Sequence, residues 1–127
     1  MLKRYKVVVV AGMLMALSLV GCAEKSHEPE LTVHVGQPVH YMSDNGDRFV
    51  ARYGSLSDKS LSFVKVQMPD GREYTLPQVV SGSGVRYTDE RELVWWTHQG
   101  TVLVEMRDAE GDWVAKYSEL REIAEKN

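Results

Sequence analysis

Hydrophobic positions along the 127-residue chain fall into three regimes. Val7 to Val20 are almost wholly apolar, Ala23 to Gly36 are polar at first and carry Pro29, and from Pro38 onward short alternating runs are separated by turn signals. Alternation with a period of two, rich in Val, Tyr, Phe and Trp, predicts an antiparallel all-β domain. The predicted strands are Pro38 to Ser43, Arg48 to Tyr53, Ser60 to Met68, Glu73 to Val80, Val85 to Thr88, Glu92 to Thr97, Thr101 to Arg107 and Asp112 to Tyr117. Asn45-Gly46, inside "DNGD", is the strongest short hairpin signal, because both residues tolerate positive φ. Proline-led "MPDG" and the later "HQG" and "DAEG" supply further turns. Eight such strands close a small antiparallel barrel filled by its own side chains. Alternation nominates Phe49, Ala51, Phe63, Val66, Tyr74, Leu76, Val94, Trp96, Val102, Val104 and Trp113 for its core. Trp95 is then left outside near the loops, to cover the core edge or touch a partner. Ser118 to Lys126 is rich in helix formers, which predicts a short terminal helix or a frayed tail.

The apolar run is shorter than the roughly 20 residues of a membrane span, and it follows the basic Lys3, Arg4 and Lys6 as the core of an export signal does. It ends in "LVGC", Leu19 to Cys22, which resembles the lipobox of bacterial lipoproteins. That resemblance implies cleavage before Cys22 and acylation of its sulfur; the plainer alternative is an ordinary signal peptide with a chance cysteine. The expected organisation is a signal peptide at 1–21, lipidated Cys22 and tether at 22–37, the barrel at 38–118 and a tail at 119–127. Ala23 follows the cysteine where inner-membrane retention would resemble an aspartate, so an outer-membrane anchor facing the periplasm is expected. Several acyl chains hold firmly, at about 0.8 kcal/mol per buried methylene, where one alone is marginal.

Cys22 is the sole cysteine, so the exported domain is expected to stand on its core without a disulfide. Losing Lys3, Arg4 and Lys6 leaves 12 basic residues against 18 acidic ones and moves the formal net charge from −3 to −6. An acidic surface of this size solubilises the domain or attracts a basic partner, and it lacks the basic footprint of a nucleic-acid binder.

The densest chemistry lies in "SGSGVRYTDERELVWWTHQG", Ser81 to Gly100. A nucleophile, orienter and base built from Ser83, Asp89 and His98 is disfavoured, because a serine between glycines lacks the strand-to-helix elbow and His98 falls in a hairpin turn. Metal binding is disfavoured too: His27, His34, His40 and His98 are scattered, and no further thiolate exists. No cofactor is expected, and a barrel of this size leaves little room for an enzyme pocket, so its work belongs at its loops.

"SGVRY", Ser83 to Tyr87, followed by "VWWT", Val94 to Thr97, and preceded by "YMSDNGDRFVARY", Tyr41 to Tyr53, resembles the MliC/PliC family, the membrane-bound and periplasmic inhibitors of c-type lysozyme. The family motif is Ser-Gly-x-x-Tyr, and of the two serines in "SGSG" only Ser83 has tyrosine four positions on. The resemblance covers about Val39 to Trp113. It implies an eight-stranded barrel that inserts the Ser83-Gly84-x-x-Tyr87 loop into the lysozyme cleft, where Ser83 would hydrogen-bond a catalytic carboxylate. Gly82 and Gly84 would permit close approach, although a tight turn or bulge accounts equally well for Gly82. Arg86 is a candidate rim contact, and Tyr87 packs the loop or contacts the partner.

Two departures from the family pattern stand out. Family members carry Tyr-x-Cys in the first strand and a second cysteine near the C-terminus, whereas Tyr41-Met42-Ser43 has serine and no later cysteine follows. A staple typically worth about 2–4 kcal/mol is thus absent as a pair, which bears on stability more than on function. The family's lysine after the tryptophan pair is replaced by His98, so an inhibition that strengthens as pH falls toward 6 is expected, since histidines charge near pH 6.5. The competing function is a structural or ligand-binding envelope lipoprotein without inhibitor activity, which has no need of such a loop at a barrel rim.

Overall fold

The computed structural model describes residue 21 and residues 27–125. Cys22 and the whole apolar run Val7 to Val20, with the signal and lipidation sites expected there, lie outside the described residues. Nine strands are formed: β1 (Val33–Val35), β2 (Val39–Met42), β3 (Arg48–Leu56), β4 (Ser62–Gln67), β5 (Glu73–Val79), β6 (Val85–Thr88), β7 (Leu93–His98), β8 (Thr101–Arg107) and β9 (Trp113–Ile123). Strands β2 to β9 form an antiparallel meander in which each pairs with the next, and β9 closes on β2 through His40↔Ile123 and Met42↔Arg121. The expected eight-stranded barrel is therefore the fold. Closure leaves no long sheet edge open to pair with other chains.

Part of the expected tether is strand. β1 pairs with the far half of β3, Val33↔Leu56 to Val35↔Gly54, in line with β2 and interrupted at Gly36 to Pro38. The break keeps its bonding, because Gly36 N–H donates to the Tyr53 carbonyl at 2.8 Å.

Corrections to the sequence reading follow from pairing that local propensity does not report. The C-terminal residues expected as helix continue β9, and Leu120 within them is fully buried. Tertiary closure against β2 outweighs their helix preference. Trp95, not Trp96, is inside: Trp95 is 0% exposed at the centre of the core, with Tyr41 edge-on at 5.4 Å and Phe49 at 6.1 Å. Phe63 lies on the outer side of β4, its ring standing where a Cβ on Gly54 would be, while Val64 and Val66 point inward. Val94 is buried but outside the central cluster, and Tyr74 packs only partly against it. Trp113 is half-buried on the wall, with the Arg107 guanidinium 4.4 Å above its ring.

A polar network crosses the interior beside Trp95. Trp95 Nε1 donates to Tyr53 Oη at 3.1 Å, and Tyr53 Oη and Tyr41 Oη share a hydrogen bond at 2.9 Å. Burial pushes the inward phenols Tyr41, Tyr53 and Tyr87 above their usual range, most strongly Tyr53.

The turn at Asn45-Gly46 also differs from expectation. Only Gly46 adopts positive φ; Gly46 N–H donates to the Ser43 carbonyl and Ser43 N–H to the Asp47 carbonyl, both at 3.0 Å. This is a longer hairpin ending in a glycine bulge rather than a two-residue turn. The same bonding recurs at Met68 to Arg72 and Asp108 to Asp112. The two-residue turn with both residues at positive φ is Gln99-Gly100. Ser43, standing where the resemblance would place cysteine, is 8% exposed and its Oγ accepts from Asp47 N–H at 3.1 Å.

Candidate functional site

The meander sorts its connections between two ends, and residues 80–84 and 99–100 fall at the same one. Because β6 and β7 are neighbours, with Val85↔Thr97 and Arg86↔Trp96 in register, the serine-glycine loop leaving β6 and the turn leaving β7 stand side by side. Ser83, Gly84 and His98 are thereby brought together from fifteen positions of sequence.

The loop is held from beneath by its backbone. Trp96 Nε1 donates to the Ser83 carbonyl at 2.9 Å, and Ser81 Oγ donates to the same oxygen at 2.6 Å. Thr97 Oγ1 donates to the Val85 carbonyl at 3.3 Å. Gly84 sits at φ +63°, and a Cβ there would collide with the Thr97 carbonyl and crowd Trp96 and His98. The backbone can pass only as glycine. Gly82 meets no such neighbour, so its conformation demands no glycine by contact.

These bonds use the Ser83 carbonyl and leave its side chain out. Ser83 is exposed, and its hydroxyl forms no hydrogen bond with another described residue. A hydroxyl displayed on a braced loop is a donor ready for an acceptor in a partner. Beside it, His98 is exposed at the start of the Gln99-Gly100 turn, and Thr101 Oγ1 donates to the His98 carbonyl at 3.1 Å.

The remaining motif residues are elsewhere. Tyr87 points inward, 7% exposed, with its ring 5.8 Å from that of Tyr53, so it seats the strand that carries the loop. Arg86 is on the outer wall opposite Trp96, 3.4 Å from Glu90, with its side chain 23% exposed. Asp89 is at the other end of the barrel, separated from Ser83 and His98 by the length of β6 and β7, so the three form no catalytic array. Its carboxylate caps the β6–β7 connection, accepting from the N–H groups of Arg91, Glu92 and Leu93 at 2.9, 2.8 and 3.2 Å. Partial burial raises its pKa, and these amides outweigh that and hold the carboxyl below the usual range. Among the described residues no group of three or more His, Cys, Asp or Glu is placed to hold a metal.

Sequence reading missed Trp96 and Ser81 as the braces of the loop. The signal was present in the adjacent tryptophans, since one must face out beside the glycine loop, but their parity was assigned in reverse.

A family model described as MliC, membrane-bound lysozyme-inhibitor of c-type lysozyme, matches residues 41–113, more than half of the chain. No curated protein sequence matches it. Among solved structures, MliC from Pseudomonas aeruginosa, crystallised in complex with hen egg white lysozyme, superposes with a TM-score of 0.52 at 20% identity, over 74% of this chain and 85% of that one. At that identity the likeness speaks for the shared barrel. The family match covers Ser83, Gly84, the tryptophan pair and His98 together, and the chain belongs to the MliC family, the membrane-bound inhibitors of c-type lysozyme.

Proposed function

We propose that this protein inhibits c-type lysozyme by presenting the Ser83-Gly84 loop to the enzyme's active-site cleft, performing no chemistry itself. The observation that carries this is the unengaged Ser83 hydroxyl on a loop whose carbonyl is doubly anchored. The partner's cleft contains two carboxylates with divided roles, one of which stays ionised as an acceptor. A hydroxyl donating to a charged acceptor is worth roughly 1.5–3 kcal/mol, enough to matter in a small interface. His98, beside the loop, is the cation candidate for the second contact, Arg86 lies farther along the wall, and Tyr87 acts from within as the seat of β6. The solved neighbour was crystallised with hen egg white lysozyme, which supports a cleft-bearing partner of this kind.

The localisation belongs to the same proposal: Cys22 carries the lipid, the outer membrane is the site, and the domain faces the periplasm. β1 enters the barrel at the end that bears Ser83, with Ser57 N–H donating to the Thr32 carbonyl at 2.9 Å. An anchor at Cys22 would therefore hold the rim on the membrane side.

Lysis of a peptidoglycan suspension by c-type lysozyme, with and without the soluble domain 23–127, tests this reading. Inhibition that Ser83→Ala weakens supports it. No inhibition at micromolar excess would favour an envelope lipoprotein of structural or ligand-binding type. Inhibition constants from pH 5.5 to 8 for wild type and His98→Lys test the role of His98: inhibition by the wild type should strengthen toward pH 6, whereas parallel curves would remove His98 from the site.

A further inference from the structure

A five-residue loop cannot by itself supply the roughly 800 Å² per partner that a stable protein interface takes. Contacts beyond the loop are needed, and the outer wall next to it offers one continuous surface. A shallow groove starts at Ser83 and crosses β7 and β8 to β9, floored by Trp96 and Leu103 and edged by His98, Thr101 and Ser118. Trp96 and Leu103 are cross-strand partners with half-buried side chains on the outer face. The groove shares a wall with the loop, since Trp96 itself holds the Ser83 carbonyl.

A cationic side chain stands at the open lip of this groove, paired with a carboxylate. Thr101 pairs with His98 on one side and with Arg121 on the other, which places His98, Thr101 and Arg121 in one outward row. Among the described residues Arg121 makes one ion pair, with Glu119 at 3.0 Å and with side chains 66% and 47% exposed, and Asp44 adds a more distant negative charge. Such a pair holds its partners weakly and gives way to a better acceptor.

We propose that this groove, with Arg121 at its lip, is a second contact area for c-type lysozyme, taking the wall of the enzyme's cleft once the Ser83 loop has entered it. Trp96 and Leu103 form the apolar floor of that contact, and Arg121 supplies a cation that is charged at every physiological pH. The partner is one whose cleft is anionic, so a permanent guanidinium beside the loop steers the approach and fixes the orientation. The proposal rests on the inhibitor reading given above.

Its test is a set of inhibition constants and association rates for the soluble domain 23–127 and c-type lysozyme. Ser118→Tyr fills the groove from an exposed strand position and is expected to raise the inhibition constant at least about tenfold with an unchanged melting temperature. Arg121→Gln, which cannot disturb the core, is expected to slow association about threefold and flatten its salt dependence, with recovery in Arg121→Lys. Glu110→Tyr, at the opposite end of the barrel, is the control and should behave as wild type. Wild-type constants for both Ser118→Tyr and Arg121→Gln, alongside weakened Ser83→Ala, would overturn the groove while leaving the inhibitor function standing. A wild-type domain that fails to inhibit would overturn both.

Discussion

The four connections at one end of the barrel, 43–47, 68–72, 89–92 and 108–112, hold nine carboxylates and two basic residues, whereas the three at the other end, 57–61, 80–84 and 99–100, hold Asp58 and Lys59 alone. The acidic end spends many of its carboxylates on itself. Asp108 Oδ1 accepts from Glu110 and Asp112 N–H at 3.0 and 2.8 Å, Asp70 accepts from Arg72, and Asp89 caps three amides. Asp47 accepts from the Tyr117 hydroxyl. At the other end the loop is braced through a carbonyl, and the Ser83 hydroxyl is left facing outward. On the proposed reading the difference separates stability from function. One end closes hairpins and would be repelled by an anionic cleft, while the end with serine, His98 and nearby Arg121 complements it.

The largest expected effect lies at the loop end. Gly84→Ala must move the Thr97 carbonyl and hold alanine at φ +63°, which should abolish inhibition and cost about 1–3 kcal/mol of stability. Gly111→Ala at the acidic end has a similar φ of +89° but open space around it, so it should cost about 1 kcal/mol and leave inhibition intact. Thermal unfolding beside inhibition assays of both variants compares the ends directly. Next comes Ser83→Ala, expected to weaken inhibition about 10- to 100-fold with no change in melting temperature, because only a contact to the partner is lost.

Asp89→Ala should show the converse, a loss of about 1–2 kcal/mol with inhibition unchanged at neutral pH. The folded carboxyl titrates below its unfolded value, so its contribution is present above about pH 3.9 and is lost as pH falls through the depressed value. Denaturant titrations of wild type and variant should therefore converge in acid. In alkali the inward phenols act oppositely: Tyr41, Tyr53 and Tyr87 are raised, so their contribution is whole below about pH 10 and is lost as pH rises beyond it. A melting temperature that falls steeply above pH 10, and less so in Tyr53→Phe, is the expected outcome.

The smallest effect concerns the anchor. Residues 23–31 span at most about 30 Å, near the diameter of a small domain, and they reach the barrel at its loop end. Deleting 24–29 should weaken inhibition by the membrane-anchored form several-fold while the soluble domain is unaffected, as paired assays on vesicles and in solution would show.

Much of this was legible in the residues. The limits of β6 and β8 coincide with Val85 to Thr88 and Thr101 to Arg107 because glycines and charges punctuate them. The structure places Ser83, on which the motif register falls, beside His98. The inward tryptophan was not legible, since Leu93, Val94, Trp95 and Trp96 are apolar at four successive positions and a period of two cannot be read from an unbroken run. Phe63 and Val66, three positions apart, were placed on one face, which a strand forbids. The C-terminal strand was hidden because its partner β2 lies about eighty residues away, and helix-forming Glu, Leu and Arg carry no trace of that pairing. Trp96 as a brace follows from the β6–β7 pairing, and Arg121 in the row of His98 from the pairing of β8 with β9.

The central claim is that c-type lysozyme meets the loop end and not the acidic end. Backbone amide shifts of the isotope-labelled domain 23–127, titrated with unlabelled c-type lysozyme, locate the contact residue by residue. The account predicts changes concentrated at residues 81–84 and 96–101, extending to Leu103, Ser118 and Arg121, with the connections at 43–47, 68–72 and 108–112 unmoved. Changes centred on those acidic turns, or none at lysozyme excess, would contradict it.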